Sequence, residues 1–168
     1  MKLVTYQVER KVRVGLISAD EEWVYPIESI GPEYKTMLEA VTQMSESEKQ
    51  LLTYAAGQEP YSIHGAARIE EVTILAPIPV PKQDIICLGI NYMDHAEESA
   101  RFKKETFGGE RPYAVYFSKR VNEAVADKAP IQSHRDIVDS LDYEVELAVI
   151  LGKDAKNVPP EQVKDYIF

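Results

Sequence analysis

Glu144 and Glu146, with Asp142 just before them, occupy alternate positions of the stretch 140–152. Between them stand Leu141, Tyr143, Val145, Leu147, Val149 and Leu151. This period of two predicts a β-strand, on which residues i and i+2 share a face roughly 6.5–7 Å apart at Cα. The carboxylate face turns apolar at Ala148 and Ile150, so the pair is expected at the edge of an interior. Two partly buried carboxylates repel each other and lose hydration, and a cation relieves both costs. Oxygen-only ligands favour a hard ion such as Mg2+, Mn2+ or Ca2+. The pattern alone fits a solvated strand edge equally well, because Glu-x-Glu on a half-exposed strand is common.

A second group lies upstream. Asn91 is placed as a helix N-cap, which sets His95 and Glu98 one turn apart on a nascent helix. A carboxylate at i+3 orients an imidazole and raises its basicity, the usual arrangement behind a histidine general base. The bland alternative is a helix start whose His and Glu face water. His64 and His134 fall in polar loops and are read as surface residues. Cys87, the single cysteine, sits in the apolar run Ile85–Ile90, where burial is expected and an intrachain disulfide is excluded.

The elements that must position these groups follow from periodicity. Leu3–Val8 and Lys11–Ser18 predict two short strands joined by a turn at Glu9-Arg10, and Glu22–Tyr25 a third. Met37, Leu38, Val41 and Met44 have helical spacing. Ser45-x-x-Glu48 is a capping-box pattern that opens a second helix, with Leu51, Leu52 and Ala55 inside and Gly57 as its stop. Ile69–Leu75 returns to strand. The prolines at 77, 79 and 81 enforce extended backbone. They are taken as the boundary between a small N-terminal α+β module, residues 1–76, and a second domain, residues 77–168. In the second domain Asp84–Ile90 predicts a buried strand and Tyr113–Ser118 another. Arg101–Pro112, with Gly108-Gly109, predicts a loop able to cover a site. Pro159-Pro160 starts a helix. The expected fold class is α+β, mostly β.

Composition narrows the function classes. With 45% hydrophobic residues the chain can build a core. A net charge of −9 disfavours nucleic acid and anionic membrane as partners. Residues 101–120 hold six basic side chains (Arg101, Lys103, Lys104, Arg111, Lys119, Arg120) against two acidic ones, Glu105 and Glu110. That window would draw a small anionic substrate, or is simply a basic surface loop. Met1–Val8 has no apolar h-region, and no apolar run is long enough for a bilayer span, so a soluble cytoplasmic protein is expected. The apolar cluster Val163, Tyr166, Ile167 and Phe168 at the chain end is unlike a frayed terminus, and part of a longer protein is expected.

Three motifs in order resemble the fumarylacetoacetate hydrolase family: Ile90–Glu98, then Tyr116–Lys119, then Asp142–Lys153. Asn157-Val158 through Asp165–Phe168 is similar to the segment that follows in its members, and residues 1–76 to the small module many bacterial members carry. The resemblance implies a mixed β-roll, incomplete within residues 77–168, and a homodimer. It implies metal-dependent hydrolase or lyase chemistry on small 2-oxo acids and acylpyruvates: C–C cleavage, decarboxylation, hydration or isomerisation. A Mg2+ or Mn2+ ion would chelate the 2-oxo-carboxylate end so that an enolate is stabilised. By motif, Glu144 and Glu146 would hold the metal, and His95 and Glu98 would form the dyad that activates water or moves a proton. Lys119 would touch substrate, although Arg120 stands where many members have proline. The family's third ligand, an aspartate, is expected beyond Phe168, so little activity is expected of these 168 residues alone. The expected partner is a second copy in a homodimer or a complementing C-terminal segment, and a polypeptide carrying the missing half would restore the enzyme. The alternative from another class is a non-catalytic remnant serving as a binding or subunit-assembly module.

Overall fold

The computed structural model describes residues 1–103 and 113–168, with Phe102 and Lys103 by backbone alone. It contains strands β1 (Leu3–Val8), β2 (Lys11–Ile17), β3 (Trp23–Pro26), β4 (Ala67–Arg68), β5 (Thr73–Ile74), β6 (Ile85–Gly89) and β7 (Val115–Lys119). The α-helices are α1 (Met37–Gln43), α2 (Glu46–Ala55) and α3 (Met93–Lys103). The architecture is α+β and rich in strands, as expected. The chain divides into two compact units: Met1–Pro79 with Ala124–Phe168, and Val80–Glu123.

The first unit is built on an antiparallel sheet of order β4-β3-β2-β1-β5. Val8 pairs with Lys11, leaving Glu9 and Arg10 as a two-residue turn. Both have positive φ, 49° and 65°, the feature of the hairpin turn whose twist matches the strands. Alternation then sorts the side chains. Val14, Leu16 and Tyr25 face α1 and α2, where Met37, Ala40, Val41, Leu52 and Ala55 close the main core. Tyr6, Ile17 and Val24 point to the other face and gather Val4, Val8, Ile69, Val72 and Ile74. Gly15 lies on that second face because nothing larger fits. A Cβ there would stand 2.5 Å from Val24 Cγ1 and 2.8 Å from the Tyr6 ring.

Both helices start where the capping chemistry places them. The Thr36 side chain accepts from the Glu39 amide. Ser45 and Glu48 form the complete reciprocal box, with Ser45 N donating to Glu48 at 2.8 Å. Tyr34 donates its hydroxyl to the same carboxylate at 2.9 and 3.0 Å. One expectation fails on α2: Leu51 is 42% exposed, while Leu52 and Ala55 are buried. Adjacent helix positions point about 100° apart, so the core accepts one leucine of the pair.

Further differences concern strands. Ile69–Leu75 is a 3-10 turn, Ile69–Glu71, followed by the two-residue β5. Asp84–Ile90 does form β6, but Ile85 and Ile86 are exposed and Cys87 is half-buried. Among the described residues β6 pairs with β7 in a two-stranded sheet, which has no second layer to bury its faces. Among the described residues the predicted strand 140–152 has no assigned ladder from 141 to 150, and Leu151 makes a single bridge to Ile167. Alternation specifies a face, and a strand forms only where a neighbouring backbone meets it. The closing helix is a 3-10 helix, Pro160–Tyr166. The covering loop expected at Arg101–Pro112 lies, from 104 on, outside the described residues.

Two outcomes test this account. Gly15→Ala forces Tyr6 or Val24 aside and is expected to cost about 1–3 kcal/mol by overpacking, read as a lower urea midpoint at unchanged slope. The Ser45 hydroxyl and amide, with Tyr34, hold the Glu48 carboxyl below its ordinary value of 4.5. A depressed carboxylate stabilises the fold above its unfolded pKa, and that contribution is lost as pH falls through the folded value. The melting-temperature gap between wild type and Glu48→Gln is therefore expected at pH 7 and should close below about pH 4.5.

Candidate active site

The five residues singled out by chemistry fall in both units. His95, Glu98 and Lys119 belong to Val80–Glu123, and Glu144 and Glu146 to the arm Ala124–Phe168 of the first unit.

In the second unit, β6 ends at Gly89 opposite Val115, where a Cβ would stand 3.4 Å from Val115 Cγ1. The chain then turns at Ile90, whose φ of 50° is a left-handed conformation that a β-branched residue rarely adopts. Such strain, of order 1–3 kcal/mol, persists where the surroundings over-determine it. The corner launches α3 at Met93, with the Tyr92 carbonyl accepting from the Ala96 amide at 3.0 Å. Tyr92 rather than Asn91 thus stands at the N-cap position. The helix expected under His95 and Glu98 is present. Ala96 packs inward, and His95 Nδ1 lies 3.9 Å from Glu98 Oε2 with side chains 43% and 75% exposed. That separation is an ion-pair contact, longer than a hydrogen bond. Both side chains are exposed, so side-chain rotation can bring the two groups within hydrogen-bond distance.

Beside this first turn is an open hollow of about 330 Å³ lined by Leu88, Ile90, Asn91, Met93, Ala96 and Tyr113, among others. Tyr113 and the bend at Ile90 were not among the candidate site residues, and Gly89 before the corner with Asn91 after it is the signal for a sharp turn. Lys119 closes β7 opposite Ile85, its Nζ 5.8 Å from the centroid of Phe117.

In the first unit, Glu144 and Glu146 are exposed. The intervening apolar row is exposed as well: Tyr143 and Val145 at 86% and Leu147 at 81%. The interior edge expected for the two carboxylates is therefore not formed within this unit. Asp142 is engaged locally, its Oδ1 accepting from the Tyr143 amide at 3.0 Å. His134 sits in a turn, its carbonyl accepting from Ile137 and Val138. Two carboxylates two residues apart fit a hard divalent ion in kind. They fall short in number, because no group of three His, Cys, Asp or Glu that could hold a metal occurs among the described residues. No helix among the described residues is long and apolar enough to cross a membrane.

Comparison with known proteins adds an independent line. The family described as fumarylacetoacetate (FAA) hydrolase C-terminal matches residues 84–168, which include all five candidate residues. Oxaloacetate tautomerase YisK of Bacillus subtilis (strain 168) is 30% identical over 179 residues, an alignment that takes in 100% of this chain and 57% of that protein. An uncharacterised protein of Staphylococcus aureus (strain USA300) is 25% identical over 183 residues with the same coverage. The chain thus spans somewhat more than half the length of these curated relatives.

Proposed function

The chain belongs to the fumarylacetoacetate hydrolase family, and from that premise we propose that it supplies the catalytic dyad and two metal ligands of an enzyme acting on small 2-oxo acids. The observation that carries the reading is the His95–Glu98 pair, 3.9 Å apart on α3 within the matched region. The likeness to an oxaloacetate tautomerase supports a reaction in which a proton moves between the carbon next to a ketone and the ketone oxygen. Hydrolase and lyase variants share the enolate, which there forms as the C–C bond breaks or CO2 leaves.

In this reading His95, oriented by Glu98, takes the proton from the carbon and passes it to the ketone oxygen, which leaves His95 neutral again. Glu144 and Glu146 would hold Mg2+ or Mn2+, with Ca2+ a third ion of the same class. The ion, when bound, supplies positive charge at the 2-oxo-carboxylate end of the substrate. Lys119 adds a cationic contact for the anionic substrate. The enzyme works in the cytoplasm, with neither nucleic acid nor membrane as partner.

Two carboxylates alone bind a hard ion weakly, since the ion keeps most of its own waters. Enolisation of oxaloacetate or an acylpyruvate by the purified chain is therefore expected to be slow. It should require Mn2+ on the order of 10⁻³ M. His95→Ala and Glu144→Ala are each expected to lower kcat/KM by about 10²-fold or more. An unchanged rate in Glu144→Ala would sink the metal assignment, and an unchanged rate in His95→Ala the dyad.

The exposed row Leu141, Tyr143, Val145, Leu147, Val149 and Leu151 favours a second reading, a module whose role is assembly. Both readings bring a strand to that row, from a second copy in a homodimer or from a complementing segment. Cross-linking with intact mass separates them. A stable homo-oligomer that binds no metal and turns over nothing points to assembly alone.

A further inference from the structure

The arm that carries Glu144 and Glu146 is attached at both of its ends to the Met1–Pro79 part of the first unit. At the upstream end the Ala124 amide donates to Pro79 O at 2.7 Å, and the Asp127 amide to Ile74 O at 3.1 Å. At the downstream end Ile150–Gly152 and Tyr166–Phe168 run antiparallel. The Gly152 amide donates to Tyr166 O and the Phe168 amide to Ile150 O, both at 2.9 Å. This short pair is seated on the helices: Ile150 and Phe168 pack against the α1–α2 core. Lys49 of α2 places its Nζ 5.1 Å from the Phe168 ring centroid. Gly152 marks the closest approach. A Cβ there would meet both Val41 O of α1 and Phe168 Cβ at 3.4 Å.

We infer that the N-terminal module positions the two carboxylates, with Phe168 and Gly152 as the positioning residues. Glu146 lies four residues from Ile150 and Glu144 six. Even fully extended, those separations are at most about 14 and 22 Å. A segment tied at both ends samples far less space than one tied at one end. For a two-donor site, that restriction bears directly on how tightly an ion is held, because flexible ligands must be ordered on binding. The consequence for metal rests on the reading of Glu144 and Glu146 given above.

Hydrogen exchange and Mn2+ titration of the intact chain test it together. In Phe168→Ala the amides of Gly152 and residue 168 are expected to exchange at least ten-fold faster, while those of α1 and α2 keep their protection. The Mn2+ dissociation constant should rise about three- to ten-fold. Phe168→Tyr keeps the ring over Lys49 and should restore both values. Gly152→Val, which pushes against the Val41 carbonyl, should reproduce the Phe168→Ala pattern. Glu144→Gln should lose Mn2+ binding with exchange unchanged. Unaltered Mn2+ affinity in Phe168→Ala alongside loss in Glu144→Gln overturns the positioning role alone. Unaltered affinity in both overturns the metal reading and the positioning role with it.

Discussion

The first unit depends on the closure of α1 and α2 over one face of the β1–β3 meander. Leu16, Tyr25, Ile27, Ala40 and Leu52 are buried almost completely at that seam. Neither layer is stable by itself. The helices have seven and ten residues, short of what holds in water without tertiary packing, and three short strands expose an apolar face. Each layer supplies the surface the other needs. Burial at about 25 cal/mol per Å² favours the closed form over either part, and the same seam accepts Ile78, Ile150 and Phe168 from outside the module. The arm bearing the two glutamates is therefore a client of a core made by residues far from it in sequence.

What was legible in the sequence was what a few neighbouring residues decide. The turn at Glu9-Arg10, the box at Ser45 and Glu48, and the helical turn that sets His95 against Glu98 are each settled within about four positions, so type and spacing carry them. Burial of β6 and the ladder at 140–152 were not legible, for a different reason. Alternation at Leu141–Leu151 reports that one face is apolar, and does not say which segment of the chain lies against it. The length of the apolar run predicts burial for Cys87 and Ile86, yet in the two-stranded sheet that the described residues form such a run stays half in water. The left-handed Ile90 was hidden because propensity argues against it, and strained corners of this kind are where local rules and global structure part.

The candidate site divides along the same line. His95 and Glu98 need one helix, and that helix is present. Glu144 and Glu146 need a sheet around them to become an interior edge, and in the first unit they stand in solvent. Exposed carboxylates have little reason to capture an ion, since water already screens their repulsion. Their value as ligands grows only as water is removed, when the cost of two adjacent charges rises and a cation becomes the cheapest relief.

That dependence couples assembly to chemistry. A strand laid beside 141–150 would flank both faces of the segment, shielding Tyr143, Val145 and Leu147 on one and removing part of the water from Glu144 and Glu146 on the other. Burial of the apolar row favours the strand, and loss of hydration at the carboxylates opposes it unless an ion arrives. An ion that binds the covered form more tightly than the open one stabilises the covered form by mass action, and the covering raises affinity for the ion by the same factor. The enzyme and assembly readings thus share one physical step, and the alternation of Glu with Tyr, Val and Leu along a single segment is what joins them.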